Sequence, residues 1–303
     1  MSQFQFTRLT DHGAQRTHCL AEAMGTENLS QQTWLFVSPH DDDLCIGAGL
    51  FMQAAIREGA TVQVLIVTDG CMGYCHLEDR DRIVDIRREE AYRSYEALGI
   101  PRDRVAYVGY PDGGLIPFIG RRRAREGEDA IAGYVGLQNA LTYHLRKVRP
   151  TRVYVPTHTD LHPDHRITHS ELMISVFHAA GAIWPELGEP LAEPPSVGEL
   201  AVYCDFVDLP NLDELIHPQT ADQKERARLL RETYKMDPEF MKEVGERYGP
   251  LEWRLPEAHA IYWAALGLSE DEMTVMRGHT LVGYGMLNKS EANIISPKNI
   301  FII

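Results

Sequence analysis

Two short stretches of this chain concentrate residue types that bind a metal ion and use it. Pro39-His40-Asp41-Asp42-Asp43 sets one imidazole beside three consecutive carboxylates, and the segment from His158 to His165 adds three histidines and two aspartates. Adjacent carboxylates repel one another and are costly to bury unless a cation or hydrogen-bond donors compensate. A mixed nitrogen and oxygen donor set suits Zn²⁺ or another first-row divalent ion better than Ca²⁺ or Mg²⁺, which favour oxygen shells. Three protein ligands leave one position for water, whose pKa a catalytic zinc lowers to about 7, as a hydrolase requires. Each stretch alone has a plainer reading. Asp41 to Asp43 can cap the following helix and meet its dipole, and His162-Pro-Asp-His165 can be a turn. Together, at the ends of two strands of one sheet, they point to a metal site.

The elements that must position them form an alternating pattern. Trp34-Leu-Phe-Val37, Thr61 to Val67, Val105-Ala-Tyr-Val108 and Thr151 to Val155 read as short buried strands. Between and after them, Leu44 to Ile56, Asp81 to Leu98, Gly136 to Val148 and Thr168 to Ala180 read as helices, with Gly99 and Pro101 as a stop signal. Alternation of this kind predicts an α/β fold, a Rossmann-like and mostly parallel sheet with helices on both faces. Ligands of such sheets bind beyond the carboxyl ends of the strands, where this chain carries His40 to Asp43, Thr68-Asp69-Gly70, Asp112-Gly-Gly114 and His158 to His165. Arg121 to Asp129, a charge run, reads as a solvated loop or substrate-facing rim, and Trp184 to Gly198, with four prolines, as a surface excursion. Further on, Ala201 to Val207 reads as a strand, and Ala221 to Tyr234 and Pro256 to Leu266 as helices.

Composition narrows the class. The 303 residues are 44% hydrophobic and 24% charged, a globular balance, and the net charge of −14 opposes attraction to nucleic acid and to anionic membrane surfaces. Five cysteines, an odd number thinly spread, do not make a disulfide framework and fit a reducing cytoplasm. Cys71 and Cys75 read as ordinary thiols. No apolar stretch approaches the ~18 residues of a membrane span, and the first twenty residues lack a leader pattern.

On these motifs the chain resembles the PIG-L/LmbE-like zinc-dependent deacetylases. Pro39-His-Asp-Asp-Asp43, followed by an Ile-Gly-Ala-Gly helix, is similar to the family's first metal motif, and His162-Pro-Asp-His165 to its second. Thr68-Asp69-Gly70, Arg87-x-x-Glu90 with Leu98-Gly99, and Tyr110 to Leu115 fall in the family's order, so the likeness spans about residues 33 to 180. Lys224 also resembles a family feature. The resemblance implies that His40, Asp43 and His165 bind Zn²⁺ or a similar ion, and that Asp42 is the general base. It further implies that His162 polarises the amide carbonyl or steadies the oxyanion. Asp164 would orient His162 or a ligand, a role for which Asp41, Asp69 and Asp160 compete. Arg87 matches a substrate-contacting arginine, although pairing with Glu90 on an exposed helix face would also account for it. Asp112 would bind a sugar hydroxyl or simply serve its turn.

The implied activity is removal of an N-acyl group, N-acetyl above all, from an amino sugar or similar small conjugate. Metal-dependent hydration or cleavage of a thiol-conjugate amide on the same fold is the alternative, and a sugar-binding module without turnover a more distant one. A dinucleotide site is disfavoured, because Gly47-Ala-Gly49 does not complete G-x-G-x-x-G and acidic residues would repel pyrophosphate. The expected organisation is one domain over residues 1–303, with a core at about 33–235 and a divergent extension at about 236–303. The apolar ending Ile294 to Ile303 can pack on its own domain or on a second copy in a homo-oligomer.

Overall fold

The computed structural model describes residues 4–10, 13–158, 160, 162–200, 202 and 298–302. They run β1 (Phe4–Thr10), β2 (Gly13–Thr17), α1 (Leu20–Ala23), β3 (Thr33–Ser38), α2 (Asp43–Gly47), α3 (Gly49–Arg57), β4 (Thr61–Thr68), α4 (Ile83–Leu98), β5 (Val105–Tyr110), β6 (Arg122–Arg123), β7 (Tyr134–Val135), α5 (Leu137–Val148), β8 (Arg152–Pro156), α6 (Pro163–Ala180), β9 (Ser196–Leu200) and β10 (Lys298–Ile302).

The chain divides into two compact units, residues 26–202 and a second made of residues 1–25 with 203–303. In the second, β1 lies between β10, its parallel partner, and β2, its antiparallel one, and Phe4, Phe6 and Leu20 are buried. The sequence reading placed no element in β1 or β2. The strand expected from residue 201, the helices at 221–234 and 256–266, Lys224, Cys204 and the boundary near 235 lie outside the described residues.

The larger unit is the α/β layout expected. Its sheet runs β5-β4-β3-β8-β9, and every neighbouring pair is parallel. The order reverses direction between β3 and β8, which opens a crevice beyond their carboxyl ends. Helices cover both faces because side chains alternate along each strand. Leu35 and Val37 point into the core shared with Leu141, Leu145, Leu172 and Val176 of α5 and α6. Trp34 and Phe36 point the other way, against Phe51 of α3 and the ring of Tyr154. Each large apolar side chain so buried contributes roughly 1.5–3 kcal/mol.

Several local expectations need correction. The single helix expected over Leu44 to Ile56 is two, interrupted at Ala48 (φ −134°, ψ 4°) between Gly47 and Gly49, where weak helix formers let the axis break. Helix α6 begins at Pro163 rather than Thr168, so His162-Pro-Asp-His165 is a helix start: proline suits the first helical position, and the His162 side chain caps the turn. The excursion after Trp184 ends in a fifth strand, β9, where Gly198 leaves room for the Tyr154 ring; a Cβ there would stand 2.6 Å from Tyr154 Cε1. The charge run is not wholly solvated. Arg121 is only 11% exposed, stacked on Tyr134 and Trp184 and paired with Glu186, while Arg122 grips Glu128 with two hydrogen bonds.

Candidate metal centre

The backbone after β3 is held before any side chain acts. Thr68, at the end of β4, donates to the Pro39 carbonyl through both its amide (3.0 Å) and its hydroxyl (2.8 Å), which fixes the turn carrying His40. The β4–β5 pairing slips near the strand ends, between Ile66 and Thr68, and beyond it Asp69 takes over as a clamp. Its Oδ1 accepts from the amides of Cys71 (3.0 Å) and Asp112 (3.1 Å), tying the loop after β4 to the loop after β5.

On this frame three donor atoms converge. His40 Nδ1 lies 3.3 Å from Asp43 Oδ2 and 3.2 Å from His165 Nε2, and His165 Nε2 lies 3.1 Å from the same Asp43 oxygen. Ligands about 2.0–2.1 Å from one tetrahedral ion stand roughly 3.3 Å apart, so the three atoms have the spacing of one face of such a shell. His165 and Asp43 are fully buried and His40 is 8% exposed. Asp43 Oδ1, also buried, has no hydrogen-bond partner among the described residues. A buried carboxylate oxygen in that condition is costly unless a cation is near. The residues therefore fit a divalent ion of the zinc class.

The flanking carboxylates each address one of these imidazoles. His40 Nε2 faces Asp112 Oδ1 at 3.2 Å and Asp164 Oδ2 at 3.4 Å, and His165 Nδ1 faces Asp160 Oδ2 at 3.1 Å. Such outer carboxylates fix ring orientation and raise the basicity of the inner nitrogen. They also set the charge. Burial alone would lower the pKa of both histidines. The surrounding aspartates overcome it, lifting His40 to about 12 through Asp112, Asp164 and Asp43, and His165 to about 9 through Asp43 and Asp160. Asp43, although burial opposes ionisation, is held far below the usual carboxylate range by His165 and His40. A ligating imidazole nitrogen must be free of its proton, so binding of an ion there is coupled to proton release.

His162 caps α6: its Nδ1 accepts from the Asp164 amide at 3.2 Å, which assigns the ring proton of the neutral form to Nε2. Burial, then the charges of His40 and His165, lower its pKa and favour that neutral form. The ring lies edge-on to His40, with centroids 4.5 Å apart. Asp42, 45% exposed, is the open carboxylate of the triplet. Burial and the charge of Asp43 raise its pKa, while Arg87 and His40 pull it down. Arg87 spans the crevice edge, with Nη2 2.8 Å from Asp41 and 3.1 Å from Asp42 and Nη1 3.2 Å from Glu90. Asp41 is buried, which raises its pKa to about 7 against the pull of Arg87.

Every candidate from the sequence is thus brought to one edge of the sheet: His40, Asp42, Asp43, Arg87, Asp112, His162, Asp164 and His165. Asp164 addresses His40, and its Oδ2 also accepts from the Gly113 amide at 2.8 Å. Asp160 stands against His165, and Asp41 against Arg87. Sequence reasoning named both only as competitors, because neighbours within one acidic run cannot be told apart without the turn geometry. Tyr95, whose hydroxyl donates to the Asp41 carbonyl at 3.2 Å from the buried side of α4, was missed. Its signal was a tyrosine on a helix face otherwise holding apolar positions. Cys45, Cys71 and Cys75 are free thiols. Among the described residues no helix is long and apolar enough to cross a membrane.

Residues 35–176 match the model of the family described as PIG-L: GlcNAc-PI de-N-acetylase. The chain is 32% identical over 180 residues to a 1D-myo-inositol 2-acetamido-2-deoxy-alpha-D-glucopyranoside deacetylase of Kineococcus radiotolerans, covering 53% of this chain and 49% of that protein. It is 30% identical over 136 residues to a diacetylchitobiose deacetylase of Thermococcus kodakarensis, covering 44% of each. Among solved structures, N,N'-diacetylchitobiose deacetylase from Pyrococcus horikoshii is similar at 23% identity and a TM-score of 0.46, over 77% of this chain and 86% of that one. The chain spans about half the length of the curated relatives it matches.

Proposed function

We propose, from the premise that residues 35–176 belong to the PIG-L family, that this protein is a metal-dependent amide hydrolase. It removes an N-acyl group, N-acetyl in the first instance, from an amino sugar or a similar small conjugate. The observation that carries the reading is the convergence of His40 Nδ1, Asp43 Oδ2 and His165 Nε2 at 3.1–3.3 Å, with the open carboxylate of Asp42 beside them. Deacetylase relatives acting on acetylated sugars support the substrate class.

In this reading His40, Asp43 and His165 hold the ion, zinc by preference for two imidazoles and one carboxylate. Bound there, it supplies Lewis acidity and a water that deprotonates near neutral pH. Asp42 accepts the proton of the attacking water and delivers it to the leaving nitrogen, so that the C–N bond breaks to give a carboxylic acid and an amine, which then exchange the remaining proton to leave as carboxylate and ammonium. The exposure of Asp42 gives substrate access, and the Arg87 guanidinium 3.1 Å away opposes the rise in its pKa that burial and Asp43 cause. His162 donates from Nε2 to the carbonyl oxygen as negative charge develops there, a contribution of roughly 2.7–4 kcal/mol for one such donor in other enzymes. Asp164 orients His40 and, through its amide, His162. Arg87 and Asp112 line the crevice where sugar hydroxyls bind. An odd number of thinly spread cysteines, four of them unpaired among the described residues, supports a reducing cytoplasm as the working compartment.

The deciding experiment incubates the zinc-loaded protein with a panel of N-acetylglucosamine conjugates and follows free acetate and free amine. Equal release of both, abolished in Asp42→Ala, is the expected result. No release from any conjugate by a protein that holds one ion at His40, Asp43 and His165 would overturn the assignment.

A further inference from the structure

A second convergence of metal-binding side chains lies one strand further along the sheet and shares no residue with the first. His158, Glu199 and His169 come from three elements: the loop two residues past β8, the penultimate position of β9, and α6 one turn beyond His165. We propose that these three residues form a second site for a zinc-class divalent ion.

The geometry brings two imidazole nitrogens to a single carboxylate oxygen, an arrangement that one ion can replace. His158 Nδ1 lies 3.2 Å and His169 Nε2 2.9 Å from one and the same oxygen, Oε1 of Glu199, and the three donor atoms all lie within 4.8 Å of one another. The two nitrogen-to-oxygen distances are close to the roughly 3.3 Å spacing of ligands around one tetrahedral ion. The other carboxylate oxygen is occupied, because Thr157 Oγ1 donates to Glu199 Oε2 at 2.6 Å, so the carboxylate is oriented with Oε1 toward the imidazoles. An outer hydrogen bond of this kind is what positions a ligating carboxylate. The scaffold fixes the rest: the parallel register places Val155 beside Glu199, and His165 and His169 lie four residues apart on one helix face.

Two imidazoles and one carboxylate select Zn²⁺ or a neighbouring late first-row ion rather than Ca²⁺ or Mg²⁺. The His158 side chain is 62% exposed, so the ion arrives from solvent and keeps water in its remaining positions. Its ligands join the edge strand β9 to α6 and to the loop that carries Asp160 and His162. An ion there clamps the outer edge of the sheet to the segment that forms half of the first centre.

The test is zinc content of the full chain after equilibration with buffered free Zn²⁺, for wild type, His158→Ala and Glu199→Gln. Each variant is expected to hold one equivalent fewer than wild type, with zinc no longer raising the melting temperature through that site. His158→Ala removes an exposed loop side chain and Glu199→Gln keeps its size, so folding, checked by circular dichroism, is retained in at least one. Because the readout is the difference from wild type, it does not depend on occupancy of the first centre; His40→Ala reports that centre separately. Equal zinc in wild type and in the folded variants would overturn the proposal.

Discussion

Asp160 stands with Oδ2 3.1 Å from Nδ1 of His165 while its Oδ1 accepts from the amide of His162 at 2.9 Å. One fully buried carboxylate thereby orients an imidazole whose other nitrogen faces Asp43 and also fixes the backbone of the turn that starts α6. Losing such an outer carboxylate typically weakens metal binding 10–100-fold. Asp160→Ala is expected to lose zinc affinity in that range, measured by competition with a chromophoric chelator. Asp160→Asn keeps an acceptor oxygen and should recover much of it. Unchanged affinity in a folded Asp160→Ala protein would remove Asp160 from this role.

Arg87 meets Asp41 and Asp42 through one nitrogen, Nη2, and is only 24% exposed, so it is more than the helix-surface partner of Glu90. If Asp42 is the base, replacing it should leave zinc content intact and cut kcat by roughly 10²–10⁴-fold. Arg87→Ala should leave the base in place without its counter-charge. The pKa of Asp42 would rise, and the acidic limb of the rate profile would shift to higher pH. Zinc analysis beside a pH–rate profile separates the cases; a zinc-free Asp42→Ala protein would make Asp42 a ligand instead.

Strands β3, β4, β5 and β8 were legible because each is a brief apolar run ending at polar residues, and the candidate metal motifs follow β3 and β8. What escaped had physical reasons. Strand β9 follows four prolines and pairs along only one edge, so Ser196-Val-Gly-Glu-Leu200 lacks the continuous apolar run of a doubly covered strand. Arg121 looked solvated because a charge run says nothing of the aromatic rings, Tyr134 and Trp184, that the fold brings beside it. The division of labour among Asp41, Asp160 and Asp164 depends on turn geometry, which residue type alone does not carry.

Gly136 has φ +118°, and a Cβ there would stand 2.3 Å from the carbonyl oxygen of Gly120. That oxygen accepts from the Gln138 amide at 3.0 Å, so the contact locks the start of α5 against the loop that leads into β6. Gly136→Ala combines an unfavourable backbone conformation with a clash against main chain that cannot swing aside. A loss of more than about 3 kcal/mol is expected. Gly127, at φ +82° with open space around it, is the control, and Gly127→Ala should cost only about 1 kcal/mol. Chemical denaturation of the two variants checks the order; equal losses would mean that the Gly120 carbonyl yields.

His144 on α5 is 9% exposed, and burial, helped by the nearby charge of Lys147, lowers its pKa from the ordinary 6.5 to about 4. The folded protein therefore resists taking up a proton that the unfolded chain accepts readily between pH 6.5 and 4. The neutral ring's contribution to stability is whole above pH 6.5 and disappears progressively as the pH falls toward 4, a difference of about 3 kcal/mol. In His144→Gln this titration is gone while all other groups remain. Comparing unfolding free energies at pH 7 and pH 4.5, the variant is expected to lose about 2–3 kcal/mol less than wild type on acidification. Parallel acid curves for the two proteins would show that His144 becomes charged within the folded state at little cost, with water reaching the ring.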